Sequence, residues 1–447
     1  MVLRSGLTLA AYPLMRTARA EALRRTDDGF LLLEAAPSRL ALAPPPAEPA
    51  AVLSYSGSTP GPLVRLKKGE ELKLRLMNRL SEPTALSLSG LRAPNGFAGY
   101  GGLTGPRIAP GGSADIRFAP PDAGFNLYLP HAGPSDAAQQ GSGLFGPIIV
   151  GEAENLADED VAVVLSDFNV GANGQIKDDF ADPALGRAAG RRGGLVLAND
   201  RAAPLKLKAR PRARVRLRLG NAATARLVNI GVEGAKAVIV AVDGQPSEPF
   251  EPLRNQFPMG PGARFELMFD MGPDAGASAS FVLRGEGGAA DQAFVIFRAE
   301  GEPGPARTEP ARLPPNPRLP AEIALEAARR NDVAISGGGA ALFALNGVTF
   351  TDWAQKPAFA IPKGAPAVLA IMNKTAVVQA IRLGGHVARL LHSMDDGWEP
   401  YWRDTILIQP GRTAHIAFVA DNPGKWPIES AIPEHRAAGV GAWFQVG

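Results

Sequence analysis

The chain has 447 residues, 45% hydrophobic and 20% charged, with a formal charge of +3. That is the make-up of roughly two to four soluble globular domains, with no charge excess that calls for nucleic acid or an anionic membrane surface. Cysteine is absent, which excludes disulfides, zinc–thiolate and iron–sulfur sites and any thiol nucleophile.

The 51 glycines and 41 prolines favour many short strands joined by turns. Residues 1–27 are expected to be an export segment. The apolar run from Gly6 to Leu14 is too short to span a bilayer, and Ala18-Arg19-Ala20 gives the small-x-small pattern of signal cleavage. The alternative is a frayed, non-functional terminus. Met1-Val2-Leu3-Arg4-Ser5-Gly6-Leu7 would follow naturally on an Arg-Arg pair, as in twin-arginine signals. A start upstream of Met1 and a periplasmic protein are therefore expected. No later stretch is long and apolar enough to span a membrane.

Three segments then match one another. Lys68–Asn78, Arg214–Asn221 and Pro366–Asn373 alternate apolar and polar residues, the period of a half-buried strand, and each ends on Asn. A second strand pattern follows each. Further on, Pro110-Gly111, Pro261-Gly262 and Pro410-Gly411 each open another alternating run. The Asn-to-Asn spacings of 143 and 152 residues are those of whole domains. The reading is all-β: three consecutive Greek-key β-sandwiches at 28–153, 155–300 and 321–447, with a Pro-rich semi-rigid linker at 301–320. Ala321–Asn331 is read as a short helix.

On these repeats, and on Gly90-Leu91-Arg92-Ala93-Pro94-Asn95, Gly143–Gly151, Asp243-Gly244-Gln245-Pro246, Trp402-Arg403-Asp404-Thr405 and Ala420–Gly424, the chain resembles the multicopper oxidases, a family of three cupredoxin domains. The family's copper ligands sit in four short motifs. Here those positions read Ser87-Leu88-Ser89, Leu129 and His131, Gln379 with Arg382 and Gly384, and Glu429-Ser430-Ala431 followed by His435 and Val440. A blue copper site needs a thiolate, two imidazoles and a weak axial ligand. Ser430, Gln379 and Val440 supply none of these, and His435 alone remains. Of the histidines that the resemblance implies for a trinuclear centre, only His131 remains.

The resemblance therefore implies a copperless member without a cofactor or oxidase activity. Copperless three-domain proteins of the bacterial envelope, such as the SufI-type cell-division protein, suggest a scaffold with a protein partner. A residual metal carrier, or an enzyme using Arg382, Glu429 and His131 for acid–base work, are the other readings. Lone histidines at 131 and 435 are expected to be hydrogen-bonded rather than ligating. His386, His392 and Met394 with Asp395 and Asp396 are read either as a solvated loop or as a weak metal site. Trp398, Tyr401 and Trp402 are read as packing against domain edges or as a partner patch. Gln379, Ser430 and His435 are expected to lie together. Arg382 and Glu429 are expected to form an ion pair near Ser87 or Ser89, tying domains 1 and 3.

Overall fold

The computed structural model describes residues 23–42, 47–152, 154, 156–307, 312–392 and 397–447. The predicted export signal, most of residues 1–27, lies outside them, as do Met394, Asp395 and Asp396. Three two-sheet sandwiches follow one another. The first pairs a sheet in the spatial order 50–55, 31–40, 72–78, 113–118 with one in the order 64–67, 146–151, 124–130, 86–89. The second has a seven-stranded sheet centred on Glu159–Phe168, Arg214–Asn221 and Arg264–Asp270, faced by a five-stranded one. The third has two five-stranded sheets. Among the described residues no helix is long and apolar enough to cross a membrane.

One pattern is built three times. The strand that opens each sandwich pairs in parallel with the Asn-terminated strand, which pairs antiparallel with the strand after the Pro-Gly turn. The asparagines explain their own recurrence. Asn78 donates to the carbonyls of Glu82 and Ile108 and accepts from Leu80 N. Asn221 does the same with Arg226, Met259 and Ala223, and Asn373 with Val377, Ile408 and Thr375. Each buried amide satisfies backbone groups that the end of a strand leaves open. The backbone carbonyl of each of these asparagines also receives the N–H of the turn glycine, Gly111, Gly262 or Gly411, each with φ near +75°, a region that glycine enters without strain.

The sandwiches are packed to one another. A single apolar cluster runs from Leu33, Leu74 and Tyr128 of the first into Ile371, Phe418 and Trp426 of the third. The second has its own core and meets the first through Phe125, Leu127, Val164 and Phe168. The Pro-rich connection lies on the second sandwich: Leu313 is buried against Val238, Val240 and Met268. Asn316 bridges Ala123 and Gln245. The short helix expected at Ala321–Asn331 is absent. A single 3-10 turn, Leu325–Ala327, leads into the strand Arg329–Gly338. Burial of Val333 and Ile335 on one face and parallel pairing with Pro366–Asn373 override local helix preference there.

Candidate functional site

Two buried regions hold the positions that the sequence resemblance aligns with copper ligands. The first lies between the second and third sandwiches. Gln379 opens the strand Gln379–Leu383, Ser430 closes Gly424–Ser430, and His435 lies in the helix Pro433–Ala437, with Val440 just beyond. All four are fully buried. His435 Nδ1 is 3.2 Å from the Gln379 amide, and its Nε2 is 2.7 Å from the carbonyl of Ala188 in the second sandwich. Burial pulls the imidazole down to about 4, against the pull of the Ala188 carbonyl, so the ring is neutral at pH 7. A neutral ring that donates from Nε2 has only a lone pair at Nδ1. Gln379 must then present its NH2 group there. Ser430 Oγ accepts from Ile432 N. Gln379, Ser430 and His435 are thus brought together, each with its polar atoms engaged. Val440 adds no donor.

The second region lies between the first and third sandwiches and is charged. His131 follows the strand Gly124–Pro130, and its Nε2 is 2.8 and 3.1 Å from the two oxygens of Glu429. Arg436, one residue past His435, places Nη1 3.4 Å from Glu429 and donates from Nη2 to Asp136 at 2.7 Å. Asp136 opens the helix Asp136–Gly141 and accepts the backbone N–H of Gly133. Tyr100 meets His131 edge-on at 4.9 Å, and Trp353 stacks beside it. Burial alone would push the Glu429 carboxyl up. The charges of His131, Arg436 and Arg382 outweigh it and hold the group down at about 2.

The expected ion pair between Arg382 and Glu429 does not form. The two residues are direct cross-strand neighbours, but the carboxylate is taken by His131 and Arg436. The Arg382 side chain runs past it instead, and a Cβ on Gly262 would fall 2.1 Å from its Nη2. Arg382 Nε and Nη2 are buried without a hydrogen-bond partner. A long side chain overshoots a neighbour only one strand away. Neither serine hydrogen-bonds to Arg382 or Glu429. Ser87 donates to the Leu129 carbonyl, and Ser89 accepts a long bond from Arg264. Leu129 and Ala431 are buried and apolar. Gly384 fits because a Cβ there would meet Pro427 at 2.5 Å.

Arg436, Asp136 and Arg264 were not singled out from the sequence. Arg264 is fully buried and donates to Asp404 at 2.7 Å. Asp243 accepts the backbone N–H groups of Arg264, Asp404 and Thr405. The Asp243–Pro246 and Trp402–Thr405 segments therefore form one joint between sandwiches. Burial, then the neighbouring Asp404 charge, raises Asp243 to about 6. Of the loop aromatics, Tyr401 stacks on Phe250 across the same joint, and Trp402 is buried. His386 is buried, held by the Gly384 carbonyl and ringed by Phe418, Trp426 and Phe444. Among the described residues no group of three or more His, Cys, Asp or Glu is arranged to hold a metal.

Three cupredoxin-type sandwiches in series, closed on each other through the third, define the architecture of the multicopper oxidases. The chain belongs to that family: its models match residues 40–155, 159–292 and 314–447 in turn. Multicopper oxidase MmcO of Mycobacterium tuberculosis is 26% identical over 428 residues, covering 87% of this chain and 82% of that protein. Cell division protein FtsP of Proteus mirabilis is 30% identical over 264 residues, 52% of this chain and 50% of that protein. The crystal structure of a multicopper oxidase from Pseudomonas thermotolerans superposes with a TM-score of 0.83 at 29% identity, covering 93% of this chain and 98% of that one.

Proposed function

We propose that this protein is a copper-free member of the family, acting by binding rather than by turnover, as a scaffold of the cell envelope with a part in cell division. The observation that carries the reading is the charged network of His131, Glu429, Arg436 and Asp136. It engages the His131 imidazole with a carboxylate and places an arginine where resident copper would require neutral donors. The other region does not fit copper either. Both nitrogens of His435 are committed, and an amide, a hydroxyl and an isopropyl group stand in for imidazole, thiolate and thioether. The similarity to FtsP supports the link to division. The units proposed to act together are 28–153, 155–300 and 321–447, through 301–320.

The test is elemental analysis of the purified protein after copper loading, with a phenol-oxidation assay. Substoichiometric copper, no blue absorption and no turnover are expected. About three or four coppers per chain, or turnover, would overturn the reading. Export through the twin-arginine route is proposed from residues 1–20. Fractionation should place the protein in the periplasm, with two in-frame arginine codons just upstream of Met1; cytoplasmic protein retaining Met1 would refute it.

A further inference from the structure

A cleft of about 410 Å³ lies where the second sandwich, the Pro-rich connection and the third sandwich meet, a volume suited to a small molecule. Much of its wall is apolar, with Pro246, Leu313, Pro315, Leu319, Pro400 and Trp402, beside a smaller set of polar side chains. One charge stands uncompensated among them. The Arg389 guanidinium lies 4.9 Å from the centre of the Trp402 ring, an aromatic support that fixes its position. No hydrogen bond or ion pair among the described residues reaches it, and its Nε is buried without a partner. Arg312 and Glu248, on the same cleft, neutralise each other. Glu322 acts on Arg389 only through its field, and burial of the guanidinium pulls its pKa down.

Other arginines at the seams between sandwiches are treated differently. Arg92 is capped by Asp122 and Asp421, Arg264 by Asp404, and Arg436 by Asp136 and Glu429. Arg382 lacks a partner but is only 3% exposed, whereas Arg389 faces an open cleft. Ser247 also lines that cleft. It is 6% exposed, and its hydroxyl has no partner. A half-buried cation facing this cleft with no acceptor among the described residues is a standing unfavourable arrangement unless one arrives.

We propose that this cleft binds an organic anion, an apolar body carrying one carboxylate, with the carboxylate on Arg389 and the body against Leu313 and the prolines. A single negative charge balances the single free cation, and a planar carboxylate matches the guanidinium fork. The same chemistry is offered by a free small acid and by the carboxyl end of a peptide. The proposal does not depend on the absence of copper.

Calorimetric titration of the full chain separates these sources. The probes are benzoate against benzyl alcohol, and acetyl-Leu-Ala with a free carboxylate against its amide. At least one acid should bind saturably, with its neutral counterpart about tenfold weaker. Arg389→Gln should erase that preference while leaving the unfolding temperature unchanged, and Ala321→Trp, which fills the cleft, should block both acids. Binding of benzoate alone assigns a small-acid site, and binding of the peptide acid alone a peptide terminus. No saturable binding of either acid, or binding indifferent to both substitutions, overturns the proposal.

Discussion

The two buried regions at the sandwich seams are filled in opposite ways. Between the second and third sandwiches, His435, Gln379 and Ser430 form a neutral, hydrogen-bonded plug. Between the first and third, Glu429, Arg436 and Asp136 form a line of alternating charge, with His131 held on Glu429. In the neutral plug each polar atom needs only one neighbour. In the charged line each member is tolerable only because the next is present, since an unpaired charge in such a place is strongly unfavourable. The first region should therefore fail gradually and the second abruptly.

The largest effect is expected at Glu429. Glu429→Leu takes the carboxylate from His131 and leaves Arg436 with Asp136 alone, and should destabilise the protein by ~3–5 kcal/mol. Chemical denaturation measures this, and a loss below ~1 kcal/mol would remove the contrast between the regions. His435→Ala removes a packed ring and its bonds and should cost ~2–4 kcal/mol, with Gln379→Leu nearer ~1 kcal/mol.

The regions should also fail in different pH windows. The folded value of His435, about 4, lies below its ordinary 6.5, so the unfolded chain binds more protons between the two. That stability is complete above pH 6.5 and is lost as pH falls toward 4. Glu429, at about 2 against an ordinary 4.5, holds its contribution above pH 4.5 and loses it as pH falls through 2. Stability profiles of His435→Gln and the parent protein should diverge between pH 4 and 6.5; parallel profiles would contradict the neutral-ring assignment.

Glu434 sharpens the comparison from the other side. It is 3% exposed with no partner for either oxygen, and the nearby Thr224 hydroxyl donates instead to the Arg191 carbonyl. Burial raises it to about 7 from an ordinary 4.5. Its contribution is therefore full below pH 4.5 and lost as pH rises through 7. Glu434→Gln should stabilise the protein by ~1–2 kcal/mol at pH 8 and hardly at all at pH 4, read from unfolding temperatures. The smallest effect is expected at Arg382. Arg382→Met should change stability by less than ~1 kcal/mol, because no ion pair is broken. A loss near that of Glu429→Leu would restore the direct pairing that the structure denies.

The fold was legible because its signals are local and repeated. Alternation, a terminal Asn and a Pro-Gly turn recur at three places, and each has a hydrogen-bonding reason that operates within about forty residues. The proximity of Gln379, Ser430 and His435 was legible through the family pattern. The partner of Glu429 was not. Strand register correctly put Arg382 opposite it, but register fixes Cβ positions and not where a six-atom side chain ends. The actual partners come from His131, 298 residues away, and from a helix turn beyond the strand. The segment 321–331 failed for a related reason, since its end, from Arg329, enters a strand that pairs with the distant Pro366–Asn373.

The span between Asp136 and Arg436 has a consequence for how the molecule is made. The carboxylate of Asp136 leaves the ribosome 300 residues before the guanidinium that covers it. Throughout that interval the first two sandwiches can fold and pack while Asp136 and His131 remain in water. Only the helix 433–437, arriving with the last strand, can desolvate them and set Arg436 between Asp136 and Glu429. Closure of the three bodies is therefore a terminal, slow, long-range step, and a chain halted before residue 433 would have two finished sandwiches, a third still lacking its strand Gly441–Val446, and an unfastened clasp.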